Sequence, residues 1–158
     1  MQVALFFWKG IIMIYKKKLK TITLKVNERH AQANASNSKS AYEIAKGIYS
    51  GLSDDQEHFC VMFLDSVNNI TGFKVLFSGG MNATTVDLKV VFRNALLFGA
   101  RNLILVHNHP SNSLNASKED IQITQEIKQA GKLLGVRTLD HIILINNSYL
   151  SMADKAII

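Results

Sequence analysis

The stretch Leu103-Ile104-Leu105-Val106-His107-Asn108-His109-Pro110 decides how the rest of the chain is read. Four consecutive apolar residues bounded by polar ones fit a central strand covered on both faces. Residues i and i+2 of a strand point to the same side. His107 and His109 therefore share a face at the strand's end, where both imidazoles can reach one ion, and Asn108 points the other way. Pro110 stops the strand. The chain then turns through small and polar residues until Ser117-Lys118-Glu119-Asp120 opens a helix, whose first turn can fold Asp120 back toward the histidines. Two His and one carboxylate leave the fourth tetrahedral position of a zinc ion open to water, the layout of a catalytic rather than a structural site. Spacing alone leaves blander readings open. Ser117-x-x-Asp120 is also an ordinary N-cap with an acid in the first turn, and both functions are compatible; two histidines can also simply be packed.

Outward from this stretch, strands and helices alternate. Toward the N-terminus, Ser40-Ala-Tyr-Glu43 has capping-box spacing and Ala41, Ile44, Ala45, Ile48 and Leu52 recur at helical intervals, which predicts a helix over 40–52. The apolar runs 57–65 and 70–78, joined at Asn68-Asn69, read as an antiparallel strand pair. Gly79-Gly80 and residues 81–85 read as a loop, and Leu88, Val91, Phe92, Ala95 and Leu96 then trace one face of a helix ending near Gly99. Toward the C-terminus come a helix over 118–134 with Ile123, Ile127, Ala130 and Leu134 as its buried stripe, a strand over 136–145, and a short tail around Tyr149 to Met152. Alternation without internal repeats points to an α/β or α+β sandwich with a mixed β-sheet.

Composition agrees with one packed domain: 158 residues, 47% hydrophobic, 19% charged. The single Cys60 rules out an internal disulfide and a Cys-rich zinc cluster, which makes a reducing, cytoplasmic setting the default. Cys60 lies within an apolar run and reads as core, and His30 and His58 read as packed or exposed side chains rather than ligands.

The net charge of +6 invites a nucleic-acid reading, but its position matters more than its size. Residues 1–30 hold Lys9, Lys16, Lys17, Lys18, Lys20, Lys25 and Arg29 against Glu28 alone, and the remaining residues carry 11 basic and 11 acidic side chains. Contacts to nucleic acid are therefore expected, if anywhere, from the basic N-terminal segment. Within it, Val3 to Tyr15 is apolar but interrupted by Lys9 and shorter than the roughly 20 residues that span a bilayer. It has three readings: an edge strand, an interfacial anchor, or sequence upstream of a start at Met13. No integral membrane segment is expected. Residues 19–26 alternate as a half-buried strand does, and Asn27 to Ser40 reads as a linker.

His107-x-His109-Pro110-x6-Ser117-x2-Asp120 resembles the JAMM metal-binding motif of JAB/MPN-domain metallopeptidases at every spaced position, and Asn108 with Ser111 resembles the bacterial RadC-like branch. The similarity extends, in the same order, to Gly79-Gly80, Thr85-Val86-Asp87, Leu134-Gly135, Leu139-Asp140-His141 and Tyr149-x-Ser151-x-Ala153-Asp154, so it covers about 36 to 155. The resemblance implies a three-layer sandwich with a mixed sheet flanked by helices, organised as a basic extension and linker over 1–36 and a RadC-like JAB/MPN domain over 37–158. It implies a Zn2+ site with His107, His109 and Asp120 as ligands, Glu57 as general base and Ser117 as the hydroxyl that helps hold the oxyanion. The expected activity is metallopeptidase or isopeptidase-like hydrolysis of a peptide or isopeptide-linked protein. The alternative is a non-catalytic, metal-binding accessory domain associated with DNA repair or mobile elements. Asp140 is a candidate for orienting a ligand imidazole, since adjacent strand residues face opposite ways and only one of Asp140 and His141 can face the site.

The chain departs from the family pattern at Asn112, Leu114 and Ala116, where relatives carry Gly and prolines, and the helical hairpin domain of full-length RadC proteins is expected to be absent. The letters H-N-H do not indicate a nuclease, because nucleases of that name space those residues far apart. A zinc nucleobase deaminase would need H-x-E and C-x-x-C. Neither composition nor spacing fixes the oligomeric state.

Overall fold

The computed structural model of the chain describes residues 3–8, 11–16, 33–79 and 86–158. The apolar N-terminal stretch holds two strands, β1 (Val3–Trp8) and β2 (Ile11–Lys16), paired antiparallel with Val3 opposite Lys16 and Trp8 opposite Ile11. The strand expected over 19–26, most of the basic run, His30 and nearly all of the Gly79–Thr85 loop lie outside the described residues. Among the described residues, no helix is long and apolar enough to cross a membrane.

The body is built on a five-stranded mixed sheet. Its strands are β3 (Glu57–Leu64), β4 (Ile70–Gly79), β5 (Asn102–Asn108), β6 (Arg137–Ile145) and β7 (Ser148–Ser151), in spatial order β4-β3-β5-β6-β7. Only β5 and β6 run parallel, because the chain between them crosses over through a helix; the other pairs are antiparallel. The helices are α1 (Ser38–Tyr49), α2 (Leu88–Leu97) and α3 (Lys118–Leu134).

Alternation along the central strands makes two cores. Cys60, Met62 and Leu64 of β3, Ile104 and Val106 of β5, and Ile142 and Leu144 of β6 pack against Ala41, Tyr42, Ala45 and Ile48 of α1. Phe59, Val61 and Phe63 of β3 with Leu103 and Leu105 of β5 pack against Val91, Phe92 and Ala95 of α2 and Ile127 of α3. The result is a three-layer sandwich, as expected. Each buried Val, Leu, Ile or Phe side chain contributes about 1.5–3 kcal/mol on leaving water, which is what holds helices to both faces. Cys60 is fully buried in the α1-side core, and burial pushes its thiol up to about 12.

The first helix starts and ends earlier than 40–52. Its N-cap is Asn37, whose Oδ1 accepts the Ser40 N–H at 2.8 Å while Ser40 Oγ accepts the Asn37 N–H at 3.2 Å. Ser40 thus holds the returning position of the capping box, and Glu43 is exposed. Asparagine caps as well as serine does, so the reciprocal pair forms one turn upstream.

Candidate metal centre

β5 lies in the middle of the sheet, and its C-terminal end meets the N-terminus of α3, the place where crossover sheets gather functional side chains. Beyond β5, the His109 N–H donates to the Leu144 carbonyl at 3.0 Å, and the His109 carbonyl accepts the Asn112 N–H at 3.0 Å, closing a turn. Asn112 occupies φ 57°, in the left-handed region that Gly and Asn tolerate. The chain returns at Ser117, the N-cap of α3. Ser117 Oγ accepts the Asp120 N–H at 3.0 Å and Asp120 Oδ2 accepts the Ser117 N–H at 2.8 Å. The cap therefore exists, and it clamps the same carboxylate that the histidines meet.

His107 Nε2 lies 2.8 Å from His109 Nε2 and 3.2 Å from Asp120 Oδ1, and His109 Nε2 lies 3.5 Å from Asp120 Oδ2. These residues could hold a metal ion, each offering one ligand atom within 4.8 Å of the others. Tetrahedral N and O ligands at about 2.0–2.1 Å from zinc stand roughly 3.3 Å apart, so the observed spacings need change by no more than about half an ångström. The donor set, two imidazole nitrogens and a carboxylate, also fits.

The outer nitrogens of both rings are engaged. His109 Nδ1 is 2.7 Å from the Ser113 carbonyl, and a carbonyl only accepts, so that nitrogen carries the proton. His107 Nδ1 is 2.8 Å from His141 Nε2, and His141 Nδ1 is 2.6 Å from Thr124 Oγ1. Burial raises the Asp120 carboxyl, but the facing imidazoles of His107 and His109 outweigh it and hold the group well below the carboxylate range. His109 is raised by its hydrogen bond to Asp120 against the opposing effect of burial. His141 is held well below the ordinary histidine value by complete burial and by the neighbouring His107.

Glu57, His107, His109, Ser117 and Asp120 line one cleft of about 680 Å³, so all five expected site residues open on the same space. Glu57 is the half-buried first residue of β3. Ser117 Oγ is engaged as an acceptor, which leaves its own proton to donate into the cleft. A second cleft of about 400 Å³, bounded by Lys46 and Tyr49 of α1, shares His109 with it.

Asn108 has a role that its position in the motif did not announce. The β3–β5 ladder ends at Phe59 opposite His107, and beyond it the Asn108 carboxamide takes over. Its Oδ1 accepts the His58 N–H at 2.7 Å and its Nδ2 donates to the Gln56 carbonyl at 2.8 Å. His58 itself is buried, with its ring nitrogens 2.7 Å from Ser78 Oγ and 3.0 Å from the Ser53 carbonyl, and takes no part in the cluster.

The expectation that Asp140 orients a ligand imidazole is wrong. Asp140 accepts from Ser151 Oγ at 2.6 Å and from the His141 and Ala153 N–H groups at 2.7 and 3.0 Å, which ties down β7 and the tail. His141 faces the centre instead. A register shift between Leu103 and Ile104 places Asp140 opposite Ile104, on the α1 side, and His141 opposite Leu105, on the α3 side. Thr124 was missed as well, although it lies four residues after Asp120 on the same helical face.

The model of the RadC-like JAB domain family matches residues 35–157. A UPF0758 protein of Flavobacterium johnsoniae is 43% identical over 120 residues, covering 76% of this chain and 52% of that protein. One from Methanosarcina acetivorans is 40% identical over 103 residues, covering 65% and 45%. One from Shouchella clausii is 37% identical over 120 residues, covering 76% and 51%. The chain spans about half the length of the curated relatives it matches.

Proposed function

The chain belongs to the RadC-like JAB domain family, and on that premise we propose that it is a zinc-dependent hydrolase cleaving a peptide or isopeptide bond. One observation carries the reading. Two imidazole nitrogens and a carboxylate converge within 3.5 Å of one another beside an open cleft, with the His109 proton held on the far side of its ring. Lone pairs aimed at one another at such distances repel unless a proton or a metal cation lies among them. Borderline N and O donors in a set of three suit zinc with a position to spare.

When bound, zinc supplies a Lewis acid and a water acidified to near neutrality. His107, His109 and Asp120 would hold it. Glu57, on the cleft wall, accepts the proton of the attacking water and delivers it to the departing amine. The Ser117 hydroxyl, fixed by the helix cap, donates to the carbonyl oxygen as negative charge develops there. Asp120 stays ionised throughout, since its own helix N-terminus and the imidazoles stabilise the charge.

Metal analysis of protein prepared without chelators tests this first. About one zinc per chain is expected, lost in His109→Ala and retained in Glu57→Gln; a metal-free wild type that also fails to take up added zinc overturns the reading. Peptide and isopeptide substrates then test the chemistry, with hydrolysis expected to fall at least 100-fold in Glu57→Gln at unchanged zinc content.

A further inference from the structure

Behind the three candidate ligands runs a buried chain of hydrogen bonds that joins two of them to each other. It goes from His107 Nδ1 to His141 Nε2 at 2.8 Å, from His141 Nδ1 to Thr124 Oγ1 at 2.6 Å, and from Thr124 Oγ1 to the Asp120 carbonyl at 2.5 Å. His107 is 1% exposed and His141 and Thr124 are fully buried, so water cannot replace a missing partner. Phe59 closes the pocket with its ring edge-on to His141, centroids 5.7 Å apart.

The direction of every proton in this chain follows from its last member. A carbonyl cannot donate, so the short contact at Asp120 requires the Thr124 proton; the Met152 sulfur, 3.8 Å away, is the weaker acceptor. With that proton committed, Thr124 Oγ1 accepts, and His141 Nδ1 must carry a hydrogen. Neutral His141 then presents a bare Nε2, and His107 must donate to it from Nδ1. The opposite order would leave two oxygens 2.5 Å apart with no proton between them and would put a hydrogen on His107 Nε2, where a ligand needs its lone pair.

We propose that Thr124 and His141 are positioning residues that fix His107 in the Nδ1–H form, aiming its Nε2 lone pair at His109 and Asp120, and that α3 thereby sets both a ligand and the tautomer of its partner. The inference deepens the zinc reading and rests on it for its consequence, but the proton order holds in the metal-free protein as well. Three elements participate: β5 brings His107, β6 brings His141, and α3 brings Thr124 four residues after Asp120. In Thr124→Val, His141 loses the acceptor at Nδ1 and gains by moving its proton to Nε2. That move forces His107 to carry its own proton on Nε2, in competition with the metal.

The test reads ring-nitrogen shifts of the zinc-free full chain by long-range proton–nitrogen NMR at about pH 8, above the ordinary histidine range, together with zinc affinity by competition with a chelating dye. Wild type is expected to show His107 protonated on Nδ1 and bare on Nε2. Thr124→Val is expected to reverse this and to bind zinc roughly 10–100-fold more weakly, as does His141→Phe, whereas Thr124→Ser, which keeps the hydroxyl, stays within about threefold of wild type. A proton on His107 Nε2 in the wild type overturns the proposal whatever the zinc result, and so does undiminished zinc affinity in Thr124→Val. A wild type with the expected tautomer and no zinc affinity supports the proton order and removes the zinc reading instead. The wild-type spectrum requires no substitution, so a misfolded variant does not shield the proposal.

Discussion

Asn108 holds Glu57 from both sides without touching its side chain: the carboxamide accepts from the His58 N–H at 2.7 Å and donates to the Gln56 carbonyl at 2.8 Å, the peptide groups that flank Glu57. The arrangement is a side-chain copy of a sheet ladder, placed where the backbone of β5 leaves β3. It fixes the peptide groups on either side of Glu57. Asn108→Ala is expected to lower hydrolysis about 10–100-fold, since a misplacement of about 1 Å at a reacting group is that costly, with zinc content unchanged. Activity equal to wild type would show that β3 holds Glu57 unaided.

The Asp120–histidine cluster gives metal-free protein a defined pH dependence. The folded Asp120 carboxyl lies below its unfolded value near 3.9, so its contribution is present above about pH 4 and is lost on acidification through the lower folded value. The folded His109 lies above its unfolded value near 6.5, so its contribution is present below about pH 6.5 and is lost as pH rises through the higher folded value. With chelator present, the stability deficit of Asp120→Asn relative to wild type is therefore expected to peak between about pH 4 and 6.5 and to shrink on the alkaline side. Denaturant unfolding across that range checks it, and a deficit that stays constant from about pH 5 to above about pH 8 would place the effect of Asp120 in the cap rather than in the ion pair.

Gly131 lies in α3 where the helix runs closest to the start of β6. A Cβ there would stand 2.3 Å from the Val136 carbonyl oxygen, a backbone atom that cannot swing aside. Gly131→Ala is expected to destabilise the domain by about 1–3 kcal/mol despite alanine's better helix propensity. Gly51→Ala, with nothing within 4 Å of the added methyl, should behave as wild type in the same thermal melts.

Asp140 is expected to act on stability rather than on metal binding. Its removal leaves the buried Ser151 hydroxyl and the Ala153 N–H without their acceptor. Asp140→Ala is expected to cost about 2–4 kcal/mol, from unsatisfied donors at about 1–3 kcal/mol each, while zinc affinity changes less than threefold. A large loss of affinity at undiminished stability would return Asp140 to the site.

Much of this protein is written locally. The apolar run 103–106 with its histidines at i and i+2, the cap-and-ligand spacing from Ser117 to Asp120, and the helical stripe of α3 all depend on residues within a turn or a strand of one another, so they are legible along the chain. Charge position was equally readable, since it needs no structure to place the excess in residues 1–30. The capping of α1 was misread by one turn because Asn37 and Ser40 make as good a reciprocal pair as Ser40 and Glu43, and local spacing does not rank them.

What the tertiary structure alone decided is which way the residues behind the site face. Arg137 to Ile145 reads RTLDHIILI, with four consecutive apolar residues after Asp140-His141, so no alternation in it tells one face from the other. Its facing is set by the register shift against β5 that skips Leu139, and a one-residue slip exchanges the two faces of a strand. The slip turns His141 toward His107 and Thr124 and sends Asp140 to β7. Likewise Asn108 reaches Gln56 and His58 across some fifty residues of chain, a distance that only pairing of β3 with β5 closes. Ligand spacing is local and was therefore in the sequence; the proton order and the placement of Glu57 depend on three strands and a helix meeting, and so belong to the fold.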